Sequence, residues 1–178
     1  MNTYTLEVAG LKRELPLIRL NDNLSIASFV ILGDTEIVVE ASKELARKIP
    51  KVDYLVTAEA KGIPLVHELS KNLKMDSYIV ARKSIKSYME DPLVHQVNSI
   101  TTADAQILCL DDRDAELIKG KKLALIDDVI STGESLRALE TLVESAGGQV
   151  LARAAILAEG DASQRDDIIF LEKLPLFK

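Results

Sequence analysis

A pair of acids followed by a loop of small residues is the part of this sequence best suited to chemistry. The segment Leu123–Ser135 reads LALIDDVISTGES, so an apolar strand leads into Asp127 and Asp128 and a helix begins near Gly133. The first N–H groups of a helix have no backbone partners and lie at the positive end of its dipole, so they suit a phosphate dianion. Glycine lets the backbone approach that anion closely. The segment therefore predicts a phosphate site.

The two acids suit a different part of the same ligand. Asp127 and Asp128 would repel a phosphate, but their oxygens can accept hydrogen bonds from vicinal sugar hydroxyls or hold Mg²⁺ through water. A ribose 5-phosphate satisfies both halves of the segment. The alternative is a plain strand–turn–helix with two solvated acids, which the length of the whole pattern disfavours.

The segment resembles the signature of type I phosphoribosyltransferases that binds 5-phosphoribosyl-1-pyrophosphate (PRPP), and the resemblance over about residues 50–158 is greatest to the adenine phosphoribosyltransferase group. It implies a reaction in which a purine nitrogen displaces pyrophosphate from PRPP, with Mg²⁺ as cofactor carried by PRPP and no metal ligand from the protein. The implied ligands of the ribose and the 5′-phosphate are Asp127, Asp128, Val129, Ile130, Ser131, Thr132, Gly133, Glu134 and Ser135.

Two further segments resemble the family's pyrophosphate site. Thr57–Gly62 (TAEAKG) follows a predicted strand and corresponds to the pyrophosphate loop, where the family commonly has a non-proline cis peptide; the matching bond here is Ala60–Lys61. Arg82 and Lys83 follow the next predicted strand. The implied pyrophosphate ligands are Glu59, Ala60, Lys61, Gly62, Arg82 and Lys83, and the implied catalytic residues are Asp127, Asp128 and Lys83.

The resemblance is weakest in the loop that closes over PRPP in this family, which corresponds to residues 84–109. Ser87–Pro92 reads SYMEDP where adenine enzymes have Ser-Tyr-x-Leu-Glu-Tyr-Gly. Tyr88 and Glu90 are the implied loop groups that act on closure, and an ordered surface turn is the alternative. Ser131 stands where hypoxanthine–guanine enzymes generally have Asp, which favours an adenine-type enzyme.

The elements that must position these residues alternate between strand and helix. Short apolar runs predict strands, and helical spacing of apolar residues predicts helices at 34–48, 63–73 and 133–146. This alternation predicts an α/β fold with an open, mostly parallel sheet flanked by helices, and ligands bind such sheets at the carboxyl ends of the strands. We expect one domain over 1–178, with a core at about 34–158 and a small hood from 1–33 and 159–178. Candidate base-stacking residues in the hood are Phe29, Phe170 and Phe177.

Composition sets limits on partners and location. The 178 residues are 47% apolar and 28% charged, which is typical of a globular domain. A net charge of −6 argues against nucleic-acid binding. The sequence shows neither a membrane-length apolar run nor a secretory signal, so a cytoplasmic protein without membrane contact is expected. Expected partners are PRPP and a purine base, and the resemblance implies a homodimer.

Several other residues are not assigned to the site. Asp111, Asp112 and Asp114 are predicted to form a solvated turn, because no Thr-Gly loop follows them. Cys109 lies in an apolar run and is predicted to be buried in the core.

The leading functional interpretation is a purine phosphoribosyltransferase, with adenine favoured. The alternatives are a protein that senses or binds PRPP without catalysis, and a transferase of another base such as xanthine or orotate. Lys61, Arg82 and Lys83 favour an enzyme, because a sensor could lose its pyrophosphate contacts.

Overall fold

Strands and helices alternate along the centre of the chain, as the sequence predicts. The computed structural model describes residues 2–97 and 106–177. Its strands are β1 (Thr3–Val8), β2 (Leu11–Asn21), β3 (Leu24–Ala27), β4 (Tyr54–Ala58), β5 (Ile79–Ala81), β6 (Leu93–Val97), β7 (Gln106–Leu110), β8 (Lys122–Ile130), β9 (Gln149–Glu159), β10 (Ile169–Leu174) and β11 (Leu176–Phe177). Its helices are α1 (Thr35–Ala46), α2 (Gly62–Asn72), α3 (Asp112–Ile118) and α4 (Glu134–Ser145), and a short 3-10 helix spans Gly160–Gln164.

The central sheet has the order β10-β9-β8-β4-β5, and each adjacent pair in it is parallel. The chain builds outward from β4 to β5 on one side and from β8 to β9 and β10 on the other. The strand order therefore reverses between β4 and β8, and the carboxyl ends of these two strands border a crevice of the kind where open α/β sheets bind ligands.

Both faces of this sheet are covered, which explains its continuous apolar strands. On β8, Ala124 and Ile126 belong to the core that α1 and α2 cover, whereas Leu123 and Leu125 belong to the core that α3 and α4 cover. The alternation follows from the two-residue period of a strand. Burial on both faces fixes the register of β8, and therefore the position along the strand of the residues that follow Ile126.

The chain ends form a second sheet. It is antiparallel, with the order β1-β2-β3-β11, and Leu176 pairs with Ile26 across it. Leu6 and Leu15 from this sheet pack into the same core as α1. Strand β10, which lies within the predicted hood range, pairs with β9 in the parallel sheet.

The predicted solvated turn at Asp111, Asp112 and Asp114 is wrong, because helix α3 begins at Asp112. Asp111 caps that helix, accepting a hydrogen bond from the Arg113 N–H at 3.3 Å. Ile118 at the other end is fully buried, and this packing stabilises a helix that is too short to be stable alone. Among the described residues, no helix is both long enough and apolar enough to cross a membrane.

Candidate active site

Strand β8 carries the acid pair into the crevice. The strand continues through Asp127 and Asp128 to Ile130, four residues beyond its predicted end. Asp128 is only 2% exposed, and its N–H donates to Asp127 Oδ1 at 2.8 Å. Asp128 Oδ2 is buried and accepts no hydrogen bond from the described residues, although Lys61 Nζ lies 3.1 Å away. A buried acceptor without a hydrogen bond is uncommon, and a ligand hydroxyl would satisfy it.

The two carboxylates influence each other's charge. Burial first, and then the negative charge of Asp128, raise the pKa of Asp127 to about 7. The Lys61 ammonium opposes this shift without cancelling it. Asp127 therefore changes its charge near neutral pH, and a raised pKa in a cleft is typical of a functional group.

The predicted phosphate loop joins β8 to α4. Gly133 has φ +81°, in the left-handed region, and immediately precedes the first residue of α4. The Glu134 N–H points to Thr132 Oγ1 at 3.4 Å, and the remaining first-turn N–H groups are at a helix start open to solvent. Ser131, Thr132 and Ser135 are exposed, so their hydroxyls are accessible to an anion. Ile130, also among the implied ligands, is buried in the core, so only its backbone faces the loop.

The predicted pyrophosphate loop follows β4, on the other side of the crevice. A non-proline cis peptide is present, but at Glu59–Ala60, so the prediction of Ala60–Lys61 is wrong by one bond. Glu59 accepts a hydrogen bond from the Lys83 N–H at 2.8 Å and forms an ion pair with Arg82. Burial raises the pKa of Glu59, but these two partners outweigh it and the pKa falls below its ordinary value. Glu59 thus ties the end of β4 to the end of β5.

Gly62, at the end of the predicted pyrophosphate loop, is tightly packed. A Cβ at Gly62 would lie 2.1 Å from Thr57 Oγ1 and 3.4 Å from the Ile126 carbonyl oxygen. The absence of a side chain therefore lets α2 begin directly against β4 and β8.

A cavity of about 620 Å³ connects these segments. The predicted site residues that line it are Glu59, Ala60, Lys61, Lys83, Asp127, Asp128, Val129, Ser131 and Ser135. Gly62 and Ile130 lie in the core, while Thr132, Gly133, Glu134 and Arg82 lie beside the cavity lining. The structure thus brings the ribose and pyrophosphate candidates to one crevice.

The hood supplies the opposite wall of the cavity. Ile26, Val30 and Leu174 line it together with Phe29, one of the three candidate stacking residues. The other two lie elsewhere. Phe170 packs against the core covered by α4, and Phe177 packs edge-on against Tyr4 with ring centroids 5.3 Å apart.

Two polar residues near the cavity were not predicted. Glu159 ends β9 and lines the cavity, where burial raises its pKa. Its position directly after the apolar run Ala154–Ala158 was a usable signal. Arg165 lies beside the phosphate loop, and no local sequence pattern indicates that contact.

The implied closing-loop residues lie outside the cavity in this conformation. Tyr88 is exposed, and its hydroxyl accepts a hydrogen bond from Arg82 Nη1 at 3.2 Å. Glu90 is exposed, while Met89 between them is buried. Strand β6 lies within the 84–109 segment and pairs antiparallel with β7, which ends one residue beyond it. Residues 98–105 of the predicted loop lie outside the described residues. Cys109 is buried in β7, as predicted.

The carboxylates suit a magnesium ion that arrives with its substrate. In the described ranges, no group of three or more His, Cys, Asp or Glu side chains is placed to hold a metal. Asp127 and Asp128 offer oxygen atoms at the cavity, one of them without a hydrogen bond. These oxygens could accept hydrogen bonds from the waters of a Mg²⁺ ion that PRPP carries.

Comparison with known proteins identifies the family. Residues 31–173 match the family described as phosphoribosyl transferase domain. The chain belongs to this family. The predicted family and the predicted α/β fold are therefore confirmed.

Individual relatives include enzymes named for different purines. An adenine phosphoribosyltransferase of Thermosipho africanus is 30% identical over 149 residues, which cover 76% of this chain and 78% of that protein. A hypoxanthine/guanine phosphoribosyltransferase of Methanococcus voltae is 27% identical over 125 residues, covering 70% of this chain and 63% of that protein, a little under two thirds of its length. The solved adenine phosphoribosyltransferase of Thermoanaerobacter pseudethanolicus shares the fold, with a TM-score of 0.71 at 21% identity over 89% of this chain and 95% of that chain.

Proposed function

We propose that this protein is a purine phosphoribosyltransferase that uses PRPP. In the reaction, a purine ring nitrogen forms a bond to C1 of the ribose. The C1–O bond to pyrophosphate breaks, pyrophosphate leaves with the electron pair, and the proton of the attacking nitrogen is released. The observation that carries the proposal is a cavity that joins a carboxylate pair with one unsatisfied oxygen, a phosphate-type loop and two lysines.

The end of β8 would hold the ribose 5-phosphate. First-turn amides of α4 and the Thr132 and Ser135 hydroxyls donate to the 5′-phosphate, and the Ser131–Glu134 backbone shapes the loop around it. Asp127 and Asp128 accept hydrogen bonds from the ribose hydroxyls, which places C1 over the crevice. Bound Mg²⁺ would neutralise charge on the pyrophosphate leaving group.

The opposite side of the crevice would bind pyrophosphate. Lys61 and Lys83 line the cavity and can donate to its oxygens as point charges. Ala60 contributes backbone to the same wall, while Glu59 positions Arg82 and the Lys83 amide. Tyr88 and Glu90 remain proposed loop groups that act when the segment around them closes over PRPP.

The base would bind against the hood. Phe29 with Ile26, Val30 and Leu174 gives an apolar wall suited to a flat purine. Ser131 and the similarity to the Thermosipho africanus adenine enzyme favour adenine. The Methanococcus voltae relative makes hypoxanthine and guanine the next candidates.

A base panel tests the activity. Wild-type protein is mixed with PRPP, Mg²⁺ and one base at a time (adenine, hypoxanthine, guanine, xanthine or orotate), and pyrophosphate release is followed together with the nucleotide formed. We expect turnover with adenine that stops when a chelator removes Mg²⁺. Turnover with xanthine alone would replace adenine as the assigned base, and turnover with orotate alone would replace the purine assignment. PRPP binding by calorimetry without turnover on any base would instead support a PRPP-binding protein.

We also propose that the protein acts in the cytoplasm as a homodimer. The location is the expectation from the sequence, and the homodimer is what the resemblance to the family implies. Sedimentation equilibrium at micromolar concentration tests the second, and a single monomeric species would contradict it.

A further inference from the structure

A side chain from the C-terminal segment lies over the phosphate loop. A Cβ at Gly133 would be only 2.7 Å from Arg165 Nη1, so the guanidinium occupies the space that a side chain at position 133 would take. Arg165 follows the 3-10 helix and is separated from the loop by all of α4 and β9. The contact therefore joins the hood to the site directly.

The guanidinium is held in one orientation. Arg165 Nε donates to Asp167 Oδ1 at 2.8 Å, and Nη2 donates to Asp167 Oδ2 at 2.7 Å. Two parallel hydrogen bonds of this kind fix the plane of an arginine. The segment itself is anchored, because Ala162 and Ile168 are buried on either side of Arg165. Asp167 thus binds one edge of the guanidinium, and the other edge, with Nη1, faces the phosphate loop.

The positive charge of Arg165 beside the start of α4 favours the binding of an anion there. Arg165 Nη1 makes no hydrogen bond within the described residues, and the group is always positive. It lies beside the start of α4, which is also the positive end of a helix dipole. The repulsion between these two positive groups is offset when an anion lies between them and attracts both. Asp167 compensates only the far edge of the guanidinium.

We propose that Arg165 is a ligand of the 5′-phosphate, with Nη1 donating to a phosphate oxygen held by the Gly133 loop. The inference rests on the proposed function, and it adds a residue from outside the loop to the phosphate site. Asp167 is then a positioning residue that acts through Arg165. Gly133 has two roles, since it adopts a positive φ and leaves room for the guanidinium.

Calorimetry with two ligands tests the assignment. Ribose 5-phosphate and magnesium pyrophosphate are titrated separately into wild type, Arg165→Gln and Arg19→Gln. Arg19 is the matched control, because it forms an exposed pair with Asp22 in the β2–β3 hairpin. Arg165→Gln should weaken ribose 5-phosphate binding about tenfold or more, as expected for one charged hydrogen bond, and leave pyrophosphate binding unchanged. Arg19→Gln should change neither.

Two further variants test whether Arg165 binds the phosphate or only supports the structure. Arg165→Lys keeps the charge and should recover part of the lost affinity, whereas Asp167→Asn should give an intermediate loss because the guanidinium is no longer oriented. Equal ribose 5-phosphate affinity in wild type and Arg165→Gln overturns this inference and leaves the proposed function standing. An equal loss of both ligands also overturns it, since it indicates a general structural effect. Failure of the wild type to bind ribose 5-phosphate overturns the proposed function as well.

Discussion

Lys61 Nζ lies 3.1 Å from Asp128 Oδ2, so a cation after β4 contacts the carboxylate at the end of β8. Asp128 is 2% exposed, whereas the Lys61 side chain is half exposed. A solvated ammonium offsets little of the cost of burying a carboxylate. The contact therefore links the proposed pyrophosphate and ribose sites without contributing much to stability.

Replacing Asp128 should separate stability from binding. Asp128→Asn removes a buried charge that lacks a hydrogen bond, while the released Lys61 can be hydrated, so we expect the Tm to stay equal or rise. Ribose 5-phosphate and PRPP should bind about tenfold more weakly or worse, because an acceptor for the ribose hydroxyls is lost. Thermal melts and calorimetry measure the two effects. The exposed Asp22→Asn is the control, and unchanged PRPP affinity in folded Asp128→Asn would contradict the ribose assignment.

The charge state of Asp127 predicts a pH dependence of stability. The folded pKa is about 7 against an ordinary 3.8, so between these values the folded protein keeps a proton that the unfolded chain releases. This contribution is complete below the unfolded pKa and is lost as the pH rises towards the folded pKa. Asp127→Asn carries no such proton. The free energy of unfolding of the variant, relative to wild type, should therefore increase from about pH 4 to pH 7.

Denaturant melts of both proteins at several pH values measure this difference, in which the titrating groups outside the Asp127–Asp128 pair cancel to a first approximation. A difference that is flat over the whole range would show that Asp127 ionises normally. Ligand binding gives an independent check. PRPP affinity of the wild type should rise through neutral pH, because only the ionised carboxylate accepts from both ribose hydroxyls.

The sequence indicated the crevice better than the roles of individual residues within it. Asp127, Asp128, Lys61 and Lys83 could be predicted because each follows an apolar strand, and parallel strands end at one edge. Gly62 was assigned to pyrophosphate, but its contacts with Thr57 and Ile126 depend on how α2 meets two strands. Such long-range contacts cannot be predicted from the local sequence.

The same reason explains why Arg165 was missed, whereas Glu159 had a sequence signal that was not used. Arg165 reaches Gly133 only because β9 and β10 pair beside β8. Glu159 reaches the cavity because it is the last residue of β9, at the edge where the parallel strands end. Helix α3 shows a third case, since the burial of Ile118 decided the structure of residues that look like a polar turn.

Close packing at Gly62 predicts a stability effect. Gly62→Ala places a methyl group 2.1 Å from Thr57 Oγ1, so the start of α2 or the end of β4 must move. We expect a loss of about 1–3 kcal/mol in the free energy of unfolding, as for overpacked cores. Thr57→Ala removes the atom in conflict, so the double variant should be more stable than the sum of the two single changes. Simple additivity in denaturant melts would show that this contact is not responsible.

The phosphate loop gives the sharpest prediction about binding. Thr132→Ala removes one hydroxyl donor and should weaken ribose 5-phosphate binding by about 1.5–3 kcal/mol, the value of a hydrogen bond to a charged group. Gly133→Val should be worse. A β-branched residue resists the φ of +81°, and its side chain would also displace Arg165 from the loop.

A second glycine controls for backbone strain. Gly120 has φ +70° with open space around its would-be Cβ, and it lies outside the cavity lining. Gly120→Val should therefore lower the Tm while leaving ligand binding intact, whereas Gly133→Val should lose binding as well.

Competition with PRPP completes the test. Ribose 5-phosphate and a nucleoside 5′-monophosphate should compete in the wild type, and the unphosphorylated nucleoside should not. If the nucleoside competes as well as its monophosphate, the loop after β8 does not bind phosphate and the proposed function fails with it.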